Sequence, residues 1–304
     1  MTAKIIDGRK ISQDIRKEIS KEIINIKLKH KMTPNITTIV VGDDSQSNLY
    51  LKLRDKACKE VGIRSNHIEF PENISEKEVL DSIYKLNKDD KVHGILVQIP
   101  LPNHISQNRL INAIDPKKDV EGLNPYNIGR TLNNDEYIVP ITPLSVLTIL
   151  NYEKTDLVGK NVVIINHSNH VGKPLAALLL NRNATVSVCH VFTKNLKFYT
   201  TNADILISAA GVAKLINKDY VKKDSFVIDV AIVNTETGIC GDVIFDSAKD
   251  IVGKITPVPG GVGPVTVACS LKNMIKTFKN CIEEKWIDII FFHLIYMYLR
   301  FPLI

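Results

Sequence analysis

Between residues 8 and 28, apolar side chains recur three and four positions apart, at Ile11, Ile15, Ile19, Ile23 and Ile26, which predicts an amphipathic helix. The pattern then changes to the β-branched run Asn35–Val41, closed by Gly42, which reads as a buried strand and a turn. Helical spacing returns over 47–61 and stops at Gly62, a suitable glycine just past a helix end. A strand is predicted over 66–70. Residues 75–86 predict a helix whose Ser75 and Glu78 have capping-box spacing. A buried strand over 93–99 is terminated by Pro100 and Pro102.

The second half repeats this rhythm. Strands are predicted over 160–165, 184–189, 203–208 and 226–230, with a helix over 171–180 between the first two. Pro140–Pro143, read as PITP, opens a helix running to about Tyr152 and marks a natural hinge between the halves. A late helix over 271–284 is placed to return to the first domain. Alternation of strand and helix predicts an α/β fold with parallel sheets covered by helices on both faces. No internal repeat or low-complexity segment interrupts it.

Length fits two domains, since 304 residues is about twice a usual domain. With 44% apolar and 24% charged residues, the chain is a packed protein and not a disordered one. The net charge of +6 is spread out, Lys17 and Lys21 alternating with Glu18 and Glu22. This argues against nucleic acid and for a phosphorylated or polyanionic small molecule. Five scattered cysteines without a CxxC pair exclude a disulfide framework and a thiolate zinc site, and no metal is expected. The polar first ten residues lack a signal-peptide core, so the cytoplasm is expected.

The end of the chain is different. Residues 286–304 are nearly all apolar, broken by Asp288, His293 and Arg300. The stretch between Asp288 and Arg300 falls short of the about 20 apolar residues a spanning helix needs. A tail packed on the body or on a partner chain is expected, with an interfacial anchor as the alternative. No membrane span is expected.

Four segments carry candidate chemistry. The first, 165–174, joins a predicted strand to a helix, where backbone N–H groups and a helix N-terminus converge on one point suited to a phosphate. The GxGxxG fingerprint is missing and only Gly172 and Pro174 remain, so an ordinary connecting loop is the competing reading. The next strand ends at Cys189-His190 with no acid for a ribose hydroxyl, while Lys173 and Lys194 lie near; this favours NADP over NAD. The second segment, 256–266, has three glycines and three prolines in TPVPGGVGPVT and predicts a rigid loop without regular structure. It serves either a ligand or a crossing between domains. In the third, Tyr50 and Arg54 share a helix face and suit a planar, carboxylated molecule, or else an exposed cation over a packed ring. In the fourth, Gln98 falls near the C-terminal end of a parallel strand and Glu121 precedes a turn glycine; either alone is as well read as a surface or capping group.

In combination these segments are far more specific. The ordered motifs GDDSQSNLY, VHGILVQIPLP, KKDVEGLNPYNIGR, PITP, SNHVGKP, FTKNL, ADILISAAG, VIDVAIV, GDVIFD and TPVPGGVGP resemble the bifunctional methylenetetrahydrofolate dehydrogenase/methenyltetrahydrofolate cyclohydrolase family. The resemblance spans Ile5 to about Glu283, with PVPGGVGP and VQIPLP its most specific parts. It implies a folate-binding α/β domain (1–140 and 268–285), a Rossmann-type NADP domain (141–267), a cleft between them and a homodimer, with the tail 286–304 unassigned. It also implies oxidation of 5,10-methylenetetrahydrofolate with NADP, and hydrolysis of the methenyl product to 10-formyltetrahydrofolate.

Carried over by position, the resemblance makes Tyr50 the ring that stacks on folate and Gln98 the glutamine beside the catalytic centre. Arg54 and Glu121 complete the catalytic set, and Pro259, Gly260 and Gly261 join Tyr50, Gln98 and Glu121 in binding substrate. The cofactor set is Asn166, His167, Ser168, Gly172, Lys173, Pro174, Thr193, Gly211 and Ile232. Several positions depart from the family pattern: Arg54 stands for its catalytic lysine, Glu121 for an aspartate, Asn166 for a glycine, His170 for an isoleucine and Ala231 for a glycine, while PCTPxG reads PITPLS with Ile141 and Ser145. Glu121 is one methylene too long, and Asn166 tolerates a left-handed backbone better than most residues. These departures support an alternative, a catalytically degenerate folate-binding homologue acting as a binding or dimer-forming protein. A shikimate-type NADP dehydrogenase leaves PVPGGVGP and VQIPLP unexplained.

Overall fold

The computed structural model describes residues 2–42, 45–236 and 238–300, with side chains described for all of these but 45–49 and 283–300. The chain opens with β1 (Lys4–Ile5), α1 (Gly8–His30), β2 (Asn35–Val41), α2 (Ser45–Val61), β3 (Arg64–Phe70), α3 (Glu76–Lys88) and β4 (Gly94–Val97). Then follow α4 (Gln107–Ala113), α5 (Pro125–Leu132), α6 (Ile141–Tyr152), β5 (Asn161–Ile165), α7 (Gly172–Leu180), β6 (Thr185–Cys189), α8 (Leu196–Thr200) and β7 (Ile205–Ser208). The rest is β8 (Phe226–Asp229), the antiparallel pair β9 (Val233–Thr235) and β10 (Gly238–Cys240), α9 (Phe245–Ala248), β11 (Lys254–Ile255) and α10 (Val262–Arg300).

Contacts divide the chain into two compact units, Glu22–Val120 with Lys272–Ile304, and Met1–Lys21 with Glu121–Leu271. The first contains a parallel three-stranded sheet in the order β3-β2-β4. Every residue of β2 is buried, which its continuous β-branched run requires of a central parallel strand. Ile39, Val41, Val79, Ile83, Ile95, Val97 and Leu110 fill the core on one side. The cap on α3 is as the sequence predicts: Ser75 Oγ accepts from Glu78 N, and Glu78 reaches back to Ser75 N.

The second unit is built on a parallel six-stranded sheet in the order β1-β11-β8-β7-β5-β6. Its core includes Val163, Ile165, Leu206, Val227 and Ile255. The two-residue β1 extends the edge of this sheet through β11, so the first 21 residues belong to this unit and not with 22–120. The chain passes between units at Val120–Glu121, twenty residues before the PITP turn expected to mark the hinge.

The late helix is the largest departure from expectation. It begins at Val262 rather than 271, so the last part of the glycine- and proline-rich segment is helical. Pro264 is accommodated because the first turn of a helix has no use for its missing N–H. The helix also runs on to Arg300. What the apolar tail 286–304 packs against lies outside the described residues. Strand ends differ from expectation by at most two residues, and the hairpin β9–β10 and the short helices α4 and α5 were not anticipated. Among the described residues, no helix is long and apolar enough to cross a membrane. Cys58, Cys189, Cys240, Cys269 and Cys281 are all free thiols.

Candidate active site

In the first unit, the predicted residues gather at the C-terminal end of the β3-β2-β4 sheet. Arg54 is among the largest fully buried side chains of the protein. Its Nη2 donates to Thr38 Oγ1 at 2.6 Å, and Thr38 is itself fully buried in β2. One helical turn earlier, the half-buried Tyr50 places its ring centroid 6.0 Å from the guanidinium carbon. Lys52 and Lys56, about 200° around the helix from Arg54, are exposed. Arg54 Nε and Nη1 are buried without a hydrogen-bond partner among the described residues. Leaving such donors open is costly. They suit a molecule that brings acceptor atoms.

Gln98 stands just past β4. The register pairs Leu96 with Thr38, so Gln98, two residues on, faces the same side of the sheet as Thr38. Its backbone N–H donates to Ile39 O and its Nε2 to Ile99 O, while Oε1 is buried with no partner among the described residues. Thr38 was not anticipated; the available signal was a polar residue in a strand otherwise suited to complete burial. Cys58, one turn beyond Arg54, is no nucleophile. Burial pushes its thiol up to about 12, and the opposing charge of Arg54 does not compensate.

Glu121 follows a buried lysine. Lys118 Nζ donates to the carbonyls of Leu86, Asn87 and Asp89 at 3.1, 2.8 and 2.9 Å, closing the C-terminal end of α3. Its own carbonyl accepts from Ile95 N, which ties the segment to β4. Glu121 begins the other unit, half-buried, its carbonyl accepting from Ile141 N at 3.3 Å.

In the second unit, the segment after β5 is organised by Asn166. Its Oδ1 accepts from Ser168 N at 2.8 Å and Gly172 N at 3.0 Å, and its Nδ2 donates to Ala209 O at 2.7 Å. Asn166 does not adopt positive φ, contrary to the use foreseen for it. Its amide instead binds together the end of β5, the start of α7 and the loop after β7. Gly172 is required here, since a Cβ would lie 1.9 Å from Asn166 O. Pro174 is buried in the first turn of α7, and Lys173 is exposed with Nζ donating to Asn169 Oδ1 at 2.8 Å. His167 is exposed, and its ring lies 4.7 Å from that of His190. Thr193 Oγ1 accepts from His190 N at 2.8 Å.

Two buried aspartates, Asp229 and Asp242, hold the remaining loops. Asp242 accepts from Ser208 Oγ, Ala210 N and Val212 N at 2.6, 2.7 and 2.8 Å, fixing the turn around Gly211. Asp229 accepts from the N–H groups of Ala231, Asp242 and Val243. Burial, aided by the Asp242 charge, pushes Asp229 up to about 7 against these donors. Neither residue was singled out beforehand, although both lie in motifs of the resemblance. Ile232, 62% exposed, projects toward the start of α10, its Cδ1 3.7 Å from where a Gly263 Cβ would stand.

The segment 256–261 is folded on its own unit. Gly8 N donates to Gly260 O at 3.0 Å, and a Gly8 Cβ would lie 1.7 Å from Gly261 O. Gly260 has a φ of +106°, a conformation that favours glycine, and Pro259 is exposed beside it. Glycines 260 and 261 thus serve close backbone packing against α1.

A parallel sheet of the dinucleotide-binding kind in one unit, and a second α/β unit with a buried cation and open donors at its sheet end, define a two-part nucleotide-dependent α/β protein. Residues 6–121 match the profile described as "Tetrahydrofolate dehydrogenase/cyclohydrolase, catalytic domain", and residues 140–282 match that of its NAD(P)-binding domain. The chain belongs to this family. The Bifunctional protein FolD of Pelagibacter ubique is 46% identical over 276 residues, covering 91% of this chain and 98% of that one. The crystal structure of the bifunctional FolD enzyme of Campylobacter jejuni superposes with a TM-score of 0.90 at 44% identity, covering 91% of this chain and 99% of that one. The Trypanosoma brucei enzyme, complexed with NADP and an inhibitor, gives a TM-score of 0.89 at 35% identity, covering 93% and 99%.

Proposed function

We propose that the protein oxidises 5,10-methylenetetrahydrofolate to the 5,10-methenyl cation with NADP, and that water converts the product to 10-formyltetrahydrofolate with release of a proton. What carries this reading is the clustering of Tyr50, Arg54, Thr38 and Gln98 at the C-terminal end of one parallel sheet, in a chain matching both domains of the family. Tyr50 offers a ring face to the folate, and Gln98 positions its reacting end.

The residues present fit NADP. Gly172 permits close approach at the start of α7, where the helix N-terminus favours an anion, and the end of β6 bears no acid. Asn166, His167, Ser168, Lys173, Thr193, Gly211 and Ile232 would hold it, with Gly172 and Pro174 shaping the turn. When bound, NADP supplies the hydride acceptor. The chain's own part is to orient the folate and to hold charge near it. We assign folate binding to the unit of Glu22–Val120 with Lys272–Ile304 and dinucleotide binding to the unit that carries the six-stranded sheet, in a cytoplasmic homodimer serving one-carbon metabolism.

Arg54 narrows the proposal. Hydrolysis of the methenyl cation needs a group that moves protons near neutral pH, and a guanidinium does not. The dehydrogenase step therefore survives while the cyclohydrolase step is slow. Mixing the full chain with methylenetetrahydrofolate and NADP, and following methenyl absorbance, tests this. A faster rise with NADP than with NAD is expected. No rise with either dinucleotide overturns the enzyme reading in favour of a folate-binding homologue.

A further inference from the structure

On the face of β2 that meets α2, Thr38 stands between the buried Ile36 and Val40. The polar groups beside it on the neighbouring strands are engaged elsewhere. Ser65 and His67 of β3, in register with Ile36 and Thr38, are both taken by Asp55 of α2. Ser65 Oγ donates to Asp55 Oδ1 at 2.7 Å, and His67 Nε2 lies 2.9 Å from Asp55 Oδ2. Gln98, two residues beyond the register partner of Thr38 in β4, donates its Nε2 to Ile99 O. Thr38 is the hydroxyl left for Arg54, and its Oγ1 accepts from Nη2 at 2.6 Å.

A valine at this position would fill the same space and suit a wholly buried strand better, but it would strip a fully buried guanidinium of its acceptor. What threonine adds is direction. A guanidinium is planar and carries its donors in a rigid fork, so fixing Nη2 also fixes where Nε and Nη1 point. Those two are the donors left open among the described residues. Gln98 Oε1, on the same side of the sheet, is a buried acceptor left open among them. The Tyr50 ring stands 6.0 Å from the guanidinium carbon.

We propose that Thr38 is a positioning residue for folate oxidation: without touching the substrate, its hydroxyl holds the Arg54 guanidinium in the orientation that aims Nε and Nη1 at acceptor atoms of the folate beside Tyr50 and Gln98. The inference rests on the folate reading above and names the side chain through which Arg54 serves it. Released from Thr38, the guanidinium remains a buried cation that attracts the substrate, but its directed contact in the transition state is lost. Such a change lowers kcat more than it raises KM.

The test follows methenyl absorbance from the full chain with methylenetetrahydrofolate and NADP, in steady state and in single turnovers with enzyme in excess, where slow variants stay measurable. Thr38→Val keeps the shape and removes the acceptor, whereas Thr38→Ser keeps the acceptor. Thr38→Val should lower kcat about 10- to 100-fold, the effect of a misplacement near an ångström, with folate KM changed less than about threefold. Thr38→Ser should stay within about threefold of the unmodified protein. In an Arg54→Met background, where no guanidinium remains to be held, Thr38→Val should change the rate less than about twofold. An unchanged kcat in Thr38→Val, or an equal loss in Thr38→Ser, overturns the inference. So does a Thr38→Val effect of the same size in the Arg54→Met background, since Thr38 then acts on packing alone. Should Thr38→Val not fold, Thr38→Ala, which leaves room for a water, takes its place in each comparison. No product from the unmodified protein overturns the enzyme reading itself, and the inference with it.

Discussion

A buried arginine held by Thr38, with two donors open among the described residues, is the most consequential residue of the first unit. Arg54→Lys restores a group that exchanges protons when burial lowers its basicity, so methenyl hydrolysis should rise by about 100- to 10,000-fold, the usual worth of general acid–base help. Rapid hydrolysis by the unmodified protein, not increased by this change, would overturn the argument. Lys52 and Lys56 do not substitute, because both are exposed on the far side of α2. Asp229 supplies the pH prediction. Its carboxyl is raised to about 7 by burial and by Asp242. A raised acid favours the folded state while protonated, so the contribution is complete below about pH 4 and is lost as pH rises through about 7. The loss amounts to about 4 kcal/mol at most. Denaturant unfolding at pH 5 and pH 8 should show this decline, and Asp229→Asn should flatten it; an equal decline in the variant would assign it to other groups. The pairing of Tyr50 with Arg54 was legible in the sequence because i, i+4 spacing fixes a shared helix face. Thr38 and the aspartate pair were not, because their partners lie 16 and 13 residues away and only the fold brings them together.

At the scale of elements, periodicity exposed most strands and helices where one competing signal was absent. β2 is an unbroken β-branched run, and α3 carries its capping box in the open. The start of α10 was hidden, since glycine and proline are read as breakers whereas the first turn of a helix tolerates both. The two-residue β1 has no period to detect and exists through its pairing with β11. Lys118 is another element-level device, closing three carbonyls at the C-terminal end of α3 from inside the first unit. Lys118→Met keeps the buried stem but strips those carbonyls of their donor, each at about 1 kcal/mol or more. The thermal midpoint should fall by several degrees, with kcat affected more than folate KM because the segment leading to Glu121 loosens. A variant of unchanged stability would show that water or backbone shifts replace the ammonium.

For the molecule as a whole, the family resemblance ends short of the apolar tail. The profile match closes at residue 282. Within α10 up to that point, Val265, Ala268, Leu271, Met274, Ile275 and Phe278 are all buried, so this part of the helix is committed to packing. Residues 286–304 add apolar length that the relatives' coverage does not require, since 98% of the Pelagibacter protein is matched by 91% of this chain. A chain ending at Lys285 keeps every residue that the family profiles match. It should therefore fold cooperatively, keep the oligomeric state of the full chain and oxidise methylenetetrahydrofolate at a comparable rate. Calorimetry and the absorbance assay, run on both lengths, decide the matter. Loss of the unfolding transition in the shorter chain would mean that the tail completes the core. Retained folding with a changed sedimentation coefficient beyond the lost mass would place it between copies.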